Sequence, residues 1–150
     1  MTVVQSPAEL AAHIGETLGP TDWVEVAQDR IDLFADATGD RQWIHVDVER
    51  ATAGPFGAPI AHGYLTLSMV NLFLPDLLTV EGISMGVNVG LEKVRFPNPV
   101  RVGSRIRATG EIVSVDEVGG GYQAVVRVTV EVEGAAKPAC VADTVSRYFP

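Results

Sequence analysis

The feature that most constrains the fold of this chain is a change of hydrophobic period in its second half. Residues 61–74 are apolar on nearly every side, which predicts a helix buried within a domain, and Pro75 is expected to end it. From about Ile83 onward, apolar and polar residues alternate, which is the period of a strand with one buried face. The alternation is clearest in Ile106, Ala108, Gly110 and Ile112, and again in Ala124, Val126, Val128, Val130 and Val132. Glycine-containing turns at 119–121 and 134–138 join the later strands, so these strands should pair antiparallel.

These patterns together predict an α+β fold in which one antiparallel sheet wraps around a central buried helix. The chain has 150 residues, of which 47% are hydrophobic and 20% charged, and it contains no linker or internal repeat. We therefore expect a single soluble globular domain over residues 1–150. A sheet that covers one helix leaves its edge strands open, which predicts a homodimer.

The first half of the chain predicts shorter elements. The run from Ser6 to Glu9 (Ser-Pro-Ala-Glu) has the pattern of a helix N-terminus, with proline in the first turn. Apolar residues then recur every four positions at Leu10, Ile14 and Leu18, so a short amphipathic helix is expected there. The other predicted elements are a strand over 23–27, a helix over 29–38 and a helical turn over 48–53.

Charge and composition exclude several classes of partner. The net charge of −8 argues against nucleic acid and anionic membrane surfaces. The most apolar stretch, near residues 65–74, is too short to cross a bilayer, and residues 1–10 lack a secretory signal, which predicts a cytoplasmic protein. The single cysteine, Cys140, lies in an apolar run and is predicted to be a small core residue.

A carboxylate and an imidazole follow the end of the helix over 29–38. In a continuous helix Asp40 and His45 would point about 140° apart, so they converge only if the backbone bends between them. Gly39 offers that bend, because glycine is the usual residue just past a helix end. An acid/base pair on such a loop suits a catalytic site. The alternative is that Asp40 serves only the turn and that His45 is a half-buried residue bonded to backbone.

The order of these features resembles the MaoC-like, R-specific enoyl-CoA hydratases over about residues 22–148. The resemblance is carried by Phe34-x4-Gly39-Asp40-x4-His45, by Ala61-His62-Gly63 at the start of the apolar helix, and by Lys93-Val-Arg-Phe-Pro-Asn-Pro-Val100 followed by Val102-Gly103. It implies the hot-dog fold and the hydration of a trans-2-enoyl-CoA to an (R)-3-hydroxyacyl-CoA, or the reverse dehydration, in fatty acid metabolism. It also implies catalysis by Asp40 and His45 with coenzyme A thioester as substrate and with neither metal nor cofactor.

Two positions depart from that family's pattern. The family commonly has Asn-Pro where this chain has Gln42-Trp43, which puts the rigidity of the loop in question. Some members carry a serine eight residues after the glycine of the His-Gly pair, where this chain has Asn71.

The hydration reaction requires a base, a proton donor for Cα and donors for the thioester oxygen. His45 suits the base, although the roles of Asp40 and His45 remain interchangeable at this stage. Gly63 is the candidate oxyanion donor, because it lies in the first turn of the buried helix, and its alternative role is close packing. Asn88 and Gly90 are candidates for the acyl pocket. His62 is expected to be a structural residue bonded to backbone, and the remaining histidine, at position 13, to lie at the surface.

Coenzyme A carries phosphates, so an acidic protein that binds it should concentrate positive charge locally. Residues 93–107 contain no acidic residue and hold five of the eleven basic ones. These candidates for phosphate contact are Lys93, Arg95, Arg101, Arg105 and Arg107. The alternative is a solvated strand face.

Two other functions fit the same fold. Acyl-CoA thioesterases share the hot-dog fold and usually place a carboxylate on the central helix, whereas residues 61–74 contain no Asp or Glu. The chain could also be a non-catalytic subunit of a hetero-oligomeric dehydratase. The presence of Asp40 and His45 argues against that alternative, and the Gln42-Trp43 departure keeps it open.

Overall fold

The central element of the fold is a helical segment that packs against one face of an antiparallel sheet. The computed structural model describes residues 1–150. Its strands are β1 (Thr2–Val4), β2 (Thr17–Leu18), β3 (Val24–Glu25), β4 (Leu78–Val80), β5 (Met85–Arg95), β6 (Arg105–Val118), β7 (Gly121–Val132) and β8 (Cys140–Phe149). Its α-helices are α1 (Gln28–Thr38), α2 (Trp43–Val46), α3 (Val48–Thr52), α4 (Gly63–Ser68) and α5 (Val70–Leu77). The predicted α+β hot-dog architecture is confirmed.

The main sheet has the strand order β2-β6-β7-β8-β5. Strand β3 also pairs with β6, at Ile106 and Arg105, next to the stretch of β6 that pairs with β2. All of its pairings are antiparallel, as the glycine-containing turns predict. The residues predicted to face inward on β6 and β7 are buried, apart from Val132 at the end of β7, which is half-buried, and they pack against the central helix. A separate parallel pair, β1 with β4, joins the N-terminus to the end of α5 and was not predicted.

The predicted helix over 61–74 consists of two pieces, α4 and α5, that meet at Met69. The prediction that Pro75 ends the helix is wrong, since α5 continues through it to Leu77. Pro75 supplies no N–H to the carbonyl of Asn71, one turn earlier, so α5 lacks one backbone hydrogen bond there. The buried side chains of Phe73 and Leu77 hold the last turn in place. The longer helix therefore includes Asp76, which is exposed near its C-terminal end.

The predicted burial of the central helix holds for one of its faces only. Leu65, Met69, Phe73 and Leu77 are buried, whereas the opposite face is open to solvent. That open face consists of Tyr64, Ser68, Asn71 and Leu72.

The predicted N-terminal α-helix is also wrong. Residues Pro7–His13 form a 3₁₀ helix, and Leu18 lies in β2, where the chain pairs with Gly110 and Glu111 of β6. The sheet edge supplies backbone partners that the last predicted turn would have had to give up. The side chain of Ser6 makes no capping hydrogen bond, and the carboxylate of Glu9 accepts one from the backbone N–H of Gln5 at 2.9 Å.

Strand β5 forms one edge of the sheet, and nearly every residue along it is exposed. Its exposed apolar side chains are Met85, Val87, Val89 and Leu91. None of the helices combines the length and the apolar character needed to cross a membrane. Cys140 is fully buried, and burial raises the pKa of its thiol to about 11, which fits the predicted core role.

Candidate active site

The chain bends after α1 at the predicted position. Gly39 has a φ of 81°, in the left-handed region, and its N–H donates to the carbonyl of Ala35 at 2.8 Å. A side chain other than glycine is strained in that conformation, so glycine is required for the turn. The bend brings a carboxylate oxygen of Asp40 and a ring nitrogen of each of His45 and His62 within 4.8 Å of one another. The predicted convergence of Asp40 and His45 is confirmed.

His45 lies in α2 and is held by a single backbone carbonyl. Its Nδ1 is 2.6 Å from the carbonyl oxygen of Ile60. A carbonyl oxygen only accepts, so Nδ1 carries the proton and the Nε2 lone pair is free. The ring is 6% exposed. Burial lowers the pKa of His45 from its ordinary value of 6.5, the bond to Ile60 partly opposes this, and His62 lowers the pKa further. The imidazole is therefore neutral at pH 7 and available as a base.

Asp40 presents its carboxylate to solvent and is fixed through its backbone. Its carbonyl oxygen accepts a hydrogen bond from His62 Nε2 at 2.9 Å. Its Oδ1 accepts one from the backbone N–H of Gln42 at 3.3 Å. The carboxylate is thus held beside His45 without being buried.

His62 lies between the two predicted catalytic residues. It is 3% exposed, and its ring stacks on that of His45 with centroids 3.9 Å apart and planes inclined by 25°. Phe34 packs against it, with ring centroids 4.9 Å apart. The expected bond from His62 to backbone is confirmed, but its place next to Asp40 and His45 was missed. A buried helix that begins with a polar aromatic residue was the only available signal.

Gly63 begins α4 and lines a cavity of about 260 Å³ together with the three residues above, Tyr64 and Phe96. As the first helical residue, it has a backbone N–H without an acceptor inside the helix. A Cβ on Gly63 would lie 3.1 Å from the ring of Phe96. Gly63 therefore lines the cavity and is closely packed against Phe96, and its role as oxyanion donor stays a prediction.

The cluster of Asp40, His45 and His62 does not fit a shared metal ion as it is arranged. The lone pair of an imidazole nitrogen lies in the plane of the ring, and an ion must lie in that plane to be bound. The rings of His45 and His62 are stacked 3.9 Å apart, so their nitrogens do not point to a common position.

Trp43 helps to fix the loop at the position where the family commonly has the proline of Asn-Pro. It is the first residue of α2, a position where proline is favoured because the N–H there has no intrahelical acceptor. The guanidinium of Arg50 lies 4.3 Å above the Trp43 ring. A Cβ on Gly54 would lie 3.0 Å from that ring. Packing by Trp43 thus restrains the loop where the family uses the ring of proline.

The predicted acyl-pocket residues divide between two places. Asn71 and Asn88 line a second cavity of about 380 Å³, between α5 and β5, with a largely apolar wall. That wall includes Leu74, Leu78, Val80, Ile83, Val87 and Tyr148. Gly90 lines neither cavity, and its N–H is bonded to Asn88 Oδ1 at 3.1 Å beside a β-bulge.

The five predicted phosphate contacts do not form one patch of free positive charge. Arg105 and Arg107 lie on β6, which β7 and β8 separate from β5. Arg105 is paired with Glu133, and Arg107 is paired with Glu131 at 2.8 Å. Arg101 is exposed and forms an isolated bridge with Ile60.

Lys93 and Arg95, on β5, line a cavity of about 270 Å³ with Arg127 and Asp143. Arg127 binds the Asp143 carboxylate through two bonds, at 2.8 and 2.9 Å, and lowers the pKa of that carboxyl. Three cations therefore share one carboxylate at this place. Arg127 was missed because it lies more than thirty positions along the chain from Lys93 and Arg95.

Comparison with known proteins shows the family of this chain and proteins that share its fold. The family model described as "MaoC like domain" matches residues 9–136. The 3-hydroxyacyl-thioester dehydratase Z of Mycobacterium tuberculosis is 56% identical over 149 residues, which cover 99% of each chain. The (R)-hydratase from A. caviae involved in PHA biosynthesis has a TM-score of 0.73 at 23% identity, over 90% of this chain and 97% of that one. The HadBC (3R-hydroxyacyl-ACP dehydratase) complex from Mycobacterium tuberculosis has a TM-score of 0.71 at 23% identity, over 91% of this chain and 96% of that one.

Proposed function

Because the chain belongs to the MaoC-like dehydratase family and is a hydro-lyase, we propose that it adds water to a trans-2-enoyl-CoA to give an (R)-3-hydroxyacyl-CoA, or catalyses the reverse dehydration. The observation that carries the proposal is the state of His45. Its Nδ1 is committed to Ile60, while its Nε2 is free in a cavity that also holds Asp40 and the N–H of Gly63. The name of the relative from Mycobacterium tuberculosis supports a 3-hydroxyacyl thioester as the substrate class.

In the hydration direction, His45 Nε2 removes a proton from a water molecule held beside Asp40. The hydroxyl of that water adds to Cβ, and the electron pair of the double bond moves onto the thioester as an enolate. The proton taken by His45 is the one that Cα finally receives, and Asp40 is close enough to pass it on. Water is thereby added across the double bond with no proton left over.

Gly63 is the proposed donor to the enolate oxygen. Its N–H lies at the start of the central helix, where the helix dipole favours negative charge. Phe96 closes over this glycine and restricts the space at the helix start. The thioester carbonyl is thus proposed to lie between Gly63 and the His45–Asp40 pair.

The apolar cavity beside Asn71 and Asn88 is the proposed site for the acyl chain. Its lining is largely apolar, as an alkyl chain requires, and Asn71 lies two helical turns from Gly63 along the central helix. Lys93 and Arg95 are the proposed contacts for the phosphates of coenzyme A, because neither is held in an ion pair of its own. Arg105 and Arg107 remain weaker candidates, since each is neutralised by a glutamate.

The quaternary state is proposed to be a homodimer formed through β5 and the open face of the central helix. An edge strand with exposed apolar side chains invites pairing with a second sheet. The HadBC complex shares the fold and pairs different chains, so a heteromer is the competing arrangement.

The direct test follows the loss of absorbance of the conjugated thioester of crotonyl-CoA. We expect Asp40→Asn and His45→Ala to lower kcat by about 10²–10⁴-fold, the contribution of a general acid or base. Asp116→Asn is the matched control, because Asp116 is an exposed carboxylate on β6 and lies outside the cavity of His45. Residual activity within about threefold of wild type in either variant would show that the assignment is wrong.

The pH dependence of the same assay tests the role of His45. The wild-type rate should fall as the pH drops through the lowered pKa of His45, because protonation removes the base, and His45→Ala should lack this dependence.

The reaction products separate the alternative functions. Release of free coenzyme A thiol in place of hydration would identify a thioesterase. Asp76, the one carboxylate on the central helix, is exposed and lies outside the cavity of His45, which disfavours that outcome. A purified chain that is inactive alone and active with a partner chain would identify a heteromer.

A further inference from the structure

We infer that His62 is a positioning residue, held as a neutral imidazole with its proton on Nε2, which fixes Asp40 and His45 in their working arrangement. This inference rests on the proposed hydratase function. It goes beyond the acid/base pair and assigns a task to a residue that takes no part in the proton transfers.

His62 contacts both Asp40 and His45 and directly precedes Gly63. Its Nε2 donates to the backbone carbonyl of Asp40 at 2.9 Å, and its ring lies against His45 with centroids 3.9 Å apart. Phe34 packs against the ring as well, so the ring is confined. Gly63 is the next residue along the chain, and a shift of His62 would therefore move the proposed oxyanion donor.

The bond from His62 is one half of a reciprocal cross-tie between two segments of the chain. We call residues 40–45 the acid–base loop and residues 60–63 the helix-entry segment. His45 of the acid–base loop donates to the carbonyl of Ile60 in the helix-entry segment, and His62 of the helix-entry segment donates to the carbonyl of Asp40 in the acid–base loop. The N–H of Ile60 also donates to the carbonyl of Ile44 at 3.0 Å. Each catalytic candidate is thus held by the segment that carries Gly63.

The surroundings of His62 select one protonation state. The Asp40 carbonyl only accepts, so Nε2 must carry a hydrogen. Nδ1 is buried and has no hydrogen-bond partner. A second proton there would bury an N–H without an acceptor and place a charge against the ring of His45. The neutral form with its proton on Nε2 is therefore the one that these contacts stabilise.

The unpaired Nδ1 also indicates why the residue is a histidine. A phenylalanine would fill the same space between Phe34 and His45 without leaving a buried nitrogen unsatisfied. The one contact that imidazole adds is the bond from Nε2 to Asp40. The position therefore accepts an unsatisfied atom in order to hold the backbone of the acid–base loop.

Two substitutions separate the bond from the ring. His62→Phe keeps an aromatic ring against His45 and loses the donor, whereas His62→Gln keeps a donor near the position of Nε2 and loses the ring. We expect His62→Phe to lower kcat by about tenfold to a hundredfold with KM within about twofold, because a small displacement of catalytic groups has effects of that size. His62→Gln should retain more activity than His62→Phe, and His13→Gln, at the surface, should match wild type.

The outcomes distinguish this inference from the proposed function. If wild type hydrates the substrate and His62→Phe has a kcat within about threefold of it, the inference fails while the function stands. A rise in KM as large as the fall in kcat also overturns the inference, as does greater activity in His62→Phe than in His62→Gln. If wild type has no hydratase activity, the proposed function fails by itself.

A measurement on wild type keeps the inference testable even if a variant does not fold. Long-range ¹H–¹⁵N correlation spectra distinguish the two neutral tautomers of histidine from the charged form, and His62→Gln assigns the signal by its loss. We expect the signal of His62 to be that of a neutral ring with its proton on Nε2, the form that its contacts stabilise. A charged His62, or a proton on Nδ1, would overturn the inference whether or not the protein is active.

Discussion

At the scale of single residues, the chemistry of the site depends on which nitrogen of His45 is left free. The carbonyl of Ile60 takes the Nδ1 proton and so directs Nε2 toward the cavity. Burial keeps the ring neutral, while the carboxylate beside it stays in contact with solvent. Two groups with different surroundings can therefore take different parts in one proton transfer.

One prediction at this scale concerns the binding of coenzyme A by Lys93 and Arg95, the basic side chains on β5 without an ion pair of their own. Alanine at either position should raise KM for a coenzyme A thioester by about threefold to tenfold, the range for an exposed charge-assisted contact, with little change in kcat. Arg30→Ala is the control, because Arg30 is an exposed cation on α1 and does not line the cavity of Lys93 and Arg95. An N-acetylcysteamine thioester lacks the phosphates, so its KM should be the same for wild type and both variants. Unchanged KM for the coenzyme A thioester would remove Lys93 and Arg95 from the proposed binding site.

At the scale of elements, α2 shows how the loop keeps its shape without the proline of its family. Trp43 occupies the first position of α2 and packs between Arg50 and Gly54, so a side-chain contact replaces a ring in the backbone. His45 follows two residues later, and the orientation of its ring depends on where α2 begins.

Trp43→Ala is therefore expected to lower the free energy of unfolding by about 1–3 kcal/mol, the range for loss of a partly buried contact. It should also lower kcat by about tenfold, since α2 would be less well fixed. Trp43→Phe keeps a ring against Gly54 and should lose less in both measurements. Chemical denaturation and crotonyl-CoA kinetics on the same samples provide the test. A stable but inactive Trp43→Ala would mean that Trp43 contacts substrate, and full activity would mean that the loop is rigid without it.

The elements also show which parts of the fold and site the sequence could predict. The long alternating strands, the bend at Gly39 and the convergence of Asp40 and His45 follow from local pattern, and the structure agrees with each. The catalytic roles of Asp40 and His45 were implied by the resemblance and stay a prediction. The N-terminal helix failed because a sheet edge captured residues 17–18, and the end of the central helix failed because burial of Leu77 outweighed Pro75. The roles of His62 and Arg127 depend on partners brought together by the fold, and no local pattern indicates them.

At the scale of the whole molecule, several apolar side chains are exposed along one edge of the main sheet. Strand β5 exposes Val89 at 48% and Leu91 at 42%, and Tyr64 of the central helix is 71% exposed. Side chains of this size are costly to leave in water, and a second sheet edge would cover them. The apolar cavity beside Asn71 and Asn88 is bounded by this same strand, so assembly and the proposed acyl site share one wall.

We expect the purified chain to have twice the mass of the 16.0 kDa protomer in light scattering coupled to size-exclusion chromatography. Val89→Lys should shift it toward the protomer mass, since Val89 lies at a β-bulge and its change leaves the ladder with β8 intact. Val113→Lys is the matched control, an exposed valine on β6 away from β5. A wild type that remains a protomer, or a Val89→Lys variant that remains a dimer, would exclude this interface.

The cross-tie between the acid–base loop and the helix-entry segment has a consequence for how the site opens. Each segment holds a donor for the other, so neither can detach without breaking the bond that its neighbour makes. Local opening of the backbone should then release Asp40, His45 and the start of α4 together, as one cooperative unit. Amide hydrogen exchange at Ile60 and at His45 would show a common protection, and the protein would either hold a complete site or hold none.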